Sequence, residues 1–114
     1  MAELSSDVLR GYNDTIILSL LQKHDSYGYQ LSKMIREASD GRYAMKETTL
    51  YSAINRLEKA GLLRSYAGEI TRGKPRTYYQ LTDTGRTHLA EKLNEWSLTK
   101  KVLDVFFIQP QGDN

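Results

Sequence analysis

The chain has 114 residues, of which 39% are apolar, a net charge of +2 and no cysteine. That length suits one domain with its own core, and the absence of thiols excludes disulfides, thiolate metal sites and cysteine redox sensing. The opening M-A-E-L-S-S-D lacks the basic and apolar regions of a secretory signal, and the longest apolar run, Ile16-Ile17-Leu18, is broken by Ser19; the expectation is a cytoplasmic protein with no membrane span.

In chain order, Ser5 or Ser6 is a candidate cap for a first helix, whose stripe Val8, Leu9, Tyr12, Ile16, Leu20 is widened by Ile17, Leu18 and Leu21. Gln22 to Ser26 reads as a polar connector. A second helix is predicted from about Tyr27 to Ser39, with Leu31, Met34, Ile35 and Ala38 facing the core, Asp25 or Ser26 as cap and Asp40-Gly41 as stop. Gly28 in its first turn lowers helix propensity, and the expected reason is another backbone packed close by.

After a short link, Arg42 to Lys46, comes E-T-T-L-Y-S-A-I-N-R-L-E-K-A-G-L-L. Leu50, Ala53, Ile54 and Leu57 recur at i, i+3, i+4 and i+7 and share one face of a helix. Thr48, Tyr51, Ser52, Asn55, Arg56 and Lys59 fall on the other. Gly61 suits the left-handed residue past a helix end, with Leu62 folding back on the last turn. Short hydroxyls, an amide, a phenol and two cations are groups that reach base edges and phosphates; the same face could equally be polar surface that touches nothing. Two helices joined by a short link, the second polar outside, form a helix-turn-helix arrangement.

Beyond Gly61 the period changes. Leu62 to Ala67 and Thr77 to Leu81 read as strands of a hairpin, with Gly68, Gly73 and Pro75 in the turn region and Arg72, Lys74 and Arg76 at or near the tip. From Arg42 to Arg76 eight cations stand against three acids. A basic patch on a nearly neutral chain points to a polyanion, and three cations on a hairpin beside a helix-turn-helix suit a wing over a phosphate backbone. Thr82 is placed to cap a last helix running from Asp83 to about Phe107 and stopping before Pro110. Leu89, Leu93, Trp96, Leu103 and Phe107 keep a seam spacing with Lys100 in the missing slot, and Val102 and Phe106 add a second edge. This helix either packs on the first helix alone or, as its length and apolar crowding favour, meets a second chain.

The expected architecture is therefore mainly α with a β-hairpin wing: a winged helix-turn-helix with its N-terminal helix over residues 1–82, a C-terminal dimerisation helix over 83–108 and a flexible tail over 109–114. The strings Y-G-Y-Q-L, T-L-Y-S-A-I-N-R-L-E-K-A-G-L-L and G-K-P-R-T-Y-Y-Q-L-T-D-T-G resemble the PadR family of transcriptional regulators, over about Leu9 to Phe107. The single C-terminal helix is similar to the shorter, multidrug-responsive members. The resemblance implies a homodimeric DNA-binding regulator, a repressor, on a near-palindromic double-stranded operator. It assigns Thr48, Thr49, Tyr51 and Ser52 to the start of the recognition helix and Lys74 and Arg76 to the wing; Asn55, Lys59 and Arg72 complete the expected DNA-binding set.

Trp96 matches a tryptophan of the multidrug-responsive members, in which the dimer encloses an apolar cavity for flat aromatic ligands. The ligand set expected here is Val8, Gly11, Tyr12, Thr15, Leu93, Trp96 and Lys100, with Trp96 either touching ligand or serving as dimer core. The dimer set is Leu89, Leu93, Trp96, Leu103, Phe106 and Phe107. Pro75 stands where many members carry another basic residue, and Lys100 would repel cationic ligands.

A different class, a winged-helix protein-interaction module without DNA binding, would be expected to lack the wing cations present here. No enzyme is expected: His24 and His88 are isolated, no H-E-x-x-H, P-loop or G-x-S-x-G occurs, and neither metal-ligand spacing nor a cofactor motif is found.

Overall fold

The computed structural model describes residues 2–110. The elements are α1 (Ser6–Leu9), a 3₁₀ turn (Arg10–Tyr12), α2 (Asn13–Lys23), β1 (Ser26–Tyr27), α3 (Gly28–Ala38), α4 (Glu47–Lys59), β2 (Leu63–Thr71), β3 (Lys74–Leu81) and α5 (Asp83–Phe106). The three strands form one antiparallel sheet in the order β1-β3-β2. Ile17, Leu18 and Leu21 of α2, Leu31 and Ile35 of α3, and Leu50, Ala53, Ile54 and Leu57 of α4 meet in a single core, closed by Leu63 and Leu81 of the sheet and Leu89 of α5. The expected face of α4, Leu50, Ala53, Ile54 and Leu57, is buried, and so are Ile17, Leu18 and Leu21 of α2. Of the face expected for α3, Leu31 and Ile35 are buried, Met34 is half-buried and Ala38 is exposed because it stands at the helix end.

The expected continuous first helix is instead two helices joined by a 3₁₀ turn that contains Gly11. Ser5 precedes α1 as N-cap but makes no side-chain cap bond. Glycine is a poor helix former, and its position here has open space where a side chain would be. The polar connector also holds more than expected. Ser26 is fully buried and, with Tyr27, forms a short strand paired to Tyr79 and Tyr78. Neither Asp25 nor Ser26 caps α3, whose N-cap is Tyr27 without a side-chain bond. At Gly28 the close neighbour is the phenol of Tyr51 and not a backbone: an added Cβ would lie 2.0 Å from its hydroxyl oxygen.

The end of α4 follows expectation. Gly61 has φ of +78°. The Gly61 amide donates to the Glu58 carbonyl and the Leu62 amide to the Leu57 carbonyl, at 3.0 Å each, which is the paired closure of a glycine-ended helix. The hairpin is longer than the sequence suggested. Arg72 and Gly73 both have positive φ, 54° and 79°, so they make the two-residue turn whose twist matches the strands it joins. Between Ala67 and Ile70, β2 carries one residue more than the facing stretch of β3, a bulge that bends the wing. Pro75 pairs opposite Ile70, in a part of β3 that β1 does not reach; a proline fits such an open edge.

Thr82 caps α5 as expected, its hydroxyl accepting from the Gly85 amide at 3.0 Å and donating to the Gly61 carbonyl at 2.7 Å. That pair of bonds ties the end of α4 to the start of α5. At about 1.5 Å per residue α5 is roughly 36 Å long, and its far half leaves the core, consistent with overall extents of 65 × 32 × 21 Å. No described helix is long and apolar enough to cross a membrane. Residues 111–114, part of the expected tail, lie outside the described residues.

Candidate nucleic-acid interface and apolar cleft

The outer face of α4 carries Thr48, Ser52, Asn55 and Lys59, all exposed, with Thr49 half-buried at its edge. Arg56, expected beside them, turns away to Asp14 of α2: its Nη2 lies 2.5 Å from Oδ1 and its Nε 3.4 Å from Oδ2. Glu58, the acid nearest this face, accepts the Ser65 hydroxyl at 2.7 Å. Among the described residues no ion pair holds Lys59, Arg72, Lys74 or Arg76. Lys59 stands on α4 with its row of hydroxyl and amide groups, and the other three cations stand on the wing.

Tyr51 does not simply project with that row. It leans over Gly28, and with Tyr27, Tyr29, Arg76, Thr77 and Tyr79 it lines a cleft of about 350 Å³. This cleft joins the α4 face to the root of the wing, so residues separated in sequence form one concave surface. Arg76 is half-buried, its guanidinium carbon 4.1 Å from the centre of the Tyr27 ring, close enough for a cation–π contact. Lys74 and Arg72 stay exposed at the tip. Tyr27 meets Tyr78 edge-on at 5.4 Å, and Tyr78 stacks on Tyr66 at 5.8 Å. The Tyr66 hydroxyl donates to Asp25 at 2.6 Å and that of Tyr78 to Glu69 at 2.9 Å. This row of rings fixes the wing against β1. Sequence reasoning did not place Tyr27 or Tyr29 at the site; the two aromatics of Y-G-Y and the pairing of the first with Y-Y were the available signal.

A second, larger cleft of about 640 Å³ lies between α2 and α5. It takes in Gly11, Tyr12, Thr15, Leu93 and Trp96 from the expected ligand set, and adds Ile16 and Leu20 with polar groups at the rim. Val8 does not line it and stands 58% exposed, because the 3₁₀ turn changes the helical phase between Val8 and Tyr12. Lys100 also lies outside the lining, although its Nζ is 5.7 Å from the Trp96 ring. Trp96 meets Tyr12 edge-on at 5.3 Å and is 40% exposed. Of the expected dimer set, Leu89 is 0% exposed and belongs to the core of its own chain; its position in the first half of α5, against α2, removes it from any interface. Leu103 is half-buried, whereas Leu93, Trp96, Phe106 and Phe107 are exposed, beside Leu98, Val102, Val105 and Ile108.

The model of the family described as transcriptional regulator PadR-like matches residues 17–91. A transcriptional regulator from Clostridium thermocellum is 56% identical, with a TM-score of 0.85 over 92% of this chain and 99% of that one. A PadR family transcription regulator from Clostridium difficile is 39% identical, with a TM-score of 0.75 over 85% and 99%. Bacillus subtilis PadR, solved in complex with operator DNA, is 21% identical, with a TM-score of 0.64 over 89% of this chain and 49% of that one, a likeness of fold.

Proposed function

The chain belongs to the PadR-like family of transcriptional regulators, whose members regulate transcription and are not enzymes, and on that premise we propose that it binds duplex DNA as a homodimer. The observation that carries this reading is the wing-root cleft, where Tyr51 of α4 and Arg76 of β3 share one surface. Such a surface is matched to a groove edge and its flanking phosphate strand. In this reading α4 enters the major groove with Thr48, Thr49, Tyr51, Ser52 and Asn55 toward bases, while Lys59, Arg72, Lys74 and Arg76 approach phosphates. The winged core over 1–82 binds DNA and the exposed half of the 83–108 segment pairs with the partner. Two-fold symmetry then selects a near-palindromic site with half-sites about one helical turn apart. Bacillus subtilis PadR, which has a similar fold, is solved in complex with operator DNA, and that supports the DNA part of this reading. A cytoplasmic repressor fits this picture, and the interaction-module alternative finds no support in a wing that keeps its cations.

The α2–α5 cleft supports a further part of the reading: a planar aromatic effector tunes DNA affinity. Its apolar walls and the Tyr12–Trp96 pair suit ring stacking.

Binding to duplex DNA tests the proposal directly. If about six of the dimer's wing and α4 cations reach phosphates, the log–log salt slope is near −5. Lys74→Ala with Arg76→Ala should flatten the slope and leave sequence preference largely intact. A salt-insensitive parent protein would remove the DNA-binding reading.

A further inference from the structure

Four consecutive residues, from the end of the 3₁₀ turn into α2, face two ways: Tyr12 and Thr15 toward the apolar cleft, Asn13 and Asp14 toward the link into α4 and α4 itself. Tyr12 meets Trp96 across the cleft at 5.3 Å. The buried side-chain oxygen of Asn13 accepts the Tyr43 hydroxyl at 2.5 Å. Asp14 takes the Arg56 guanidinium of α4, and Thr15 returns to the cleft wall. Successive helical side chains are about 100° apart, so residues 12 and 15 share a side while 13 and 14 point elsewhere. We propose that Asn13 and Asp14 are positioning residues for α4, and that they make its placement depend on what occupies the cleft; this rests on the DNA-binding reading above.

The two contacts hold α4 at separate points. Tyr43 lies in the link that enters α4, and its backbone amide and carbonyl are both bonded to the Ser39 hydroxyl, at 3.0 and 3.1 Å. Asn13 therefore grips a link already anchored to the end of α3. Burial pushes the Tyr43 phenol up, against the pull of its bond to Asn13, so it remains a donor at neutral pH. Arg56 holds the third turn of α4. A rotation of the first turn of α2 moves both grips together. The segment just upstream is suited to allow it: a 3₁₀ turn has weaker hydrogen bonds than an α-helix, and Gly11 has no neighbour within 4 Å of the place a Cβ would occupy. A ring wedged between Tyr12 and Trp96 would turn this joint, and by reciprocity duplex binding at α4 would alter the surroundings of Trp96.

That reciprocity allows a test without an effector. The probe is a duplex selected by the protein from a random-sequence library, and the readout is emission of Trp96, the only tryptophan. The parent should show an emission change that saturates with the duplex. In Asp14→Asn and in Tyr43→Phe, duplex affinity should stay within about tenfold, as for loss of one surface or neutral contact, while the emission change falls by at least about twofold, the size of a modest coupling. Asp14→Glu should restore it. Asp14 is at the surface, so Asp14→Asn keeps the question open even if Tyr43→Phe is unstable. An unaltered emission change in Asp14→Asn, or a parent that binds the duplex with silent Trp96, overturns the joint. Failure to bind any duplex instead sinks the DNA-binding reading. In that event amide exchange decides the joint: Tyr12→Ala should speed exchange over residues 43–50 relative to the wing, and equal exchange would refute it.

Discussion

Gly28 and Gly85 each lie against another residue, and the nature of the neighbour predicts different losses. At Gly28 a Cβ would meet the far end of the Tyr51 side chain, which can swing aside. At Gly85 it would lie 2.2 Å from the backbone carbonyl oxygen of Leu62, which is fixed by the Thr82 amide. Gly85→Ala should therefore cost about 1–3 kcal/mol of stability, the usual range for overpacking, seen as a lower melting temperature. Gly28→Ala should melt close to the parent and instead lose affinity for the selected duplex, because Tyr51 is displaced from the wing-root cleft. Tyr51→Ala should likewise weaken the selected duplex more than random DNA. Equal losses on both duplexes would mean that Tyr51 does not read sequence.

At the scale of elements, α5 serves two purposes along its length. Its first half supplies Leu89 to the core, and its second half carries an exposed apolar edge ending in Phe106 and Phe107. The two halves predict separable effects. Leu89→Ala should lower stability by about 2–5 kcal/mol, as other buried leucines do, whatever the oligomeric state. Leu103→Ala with Phe107→Ala should shift sedimentation from dimer toward monomer and spare the core of each chain, since Phe107 is 71% exposed within one chain. A sedimenting dimer unaffected by that pair would move the proposed interface off α5. The wing behaves as an element of a different kind, because its strands pair far beyond β1 and depend on the Tyr27, Tyr78 and Tyr66 rings for orientation.

For the whole molecule, the two clefts share no lining residue: one lies between α2 and α5, the other among the start of α3, α4 and the sheet. Charge around the α2–α5 cleft is mixed: Lys23 and Lys92 line it with Glu95, Lys92 pairs with Glu95 at 3.3 Å, and Lys100 stands beside Trp96. The balance of cations favours neutral or anionic planar aromatics over cationic dyes. A Trp96 fluorescence titration should show saturable quenching by an anionic aromatic and much weaker quenching by a cationic one. Trp96→Ala should abolish the ligand response while duplex binding survives. If Trp96→Ala dissolves the dimer instead, the indole is interface core and the effector reading fails.

Helical and strand periodicity by themselves determined the positions of α3, α4 and α5, the glycine stop of α4 and the Thr82 cap, because those signals are local: apolar spacing, one left-handed residue, one hydroxyl beside a free amide. The basic character of the wing was equally legible, since charge survives any fold. What only the tertiary structure decided involves partners distant in the chain. Ser26 and Tyr27 are a strand solely because β3 runs beside them. Arg56 reads as an outward cation on a helical wheel until Asp14, 42 residues earlier, draws it aside. Leu89 fits the seam of Leu93 and Trp96 in spacing, yet the closeness of α2 buries it and leaves its seam-mates exposed. The phase change at Gly11 leaves Val8 out of the cleft lining, a separation that shows only once α2 is placed against α5.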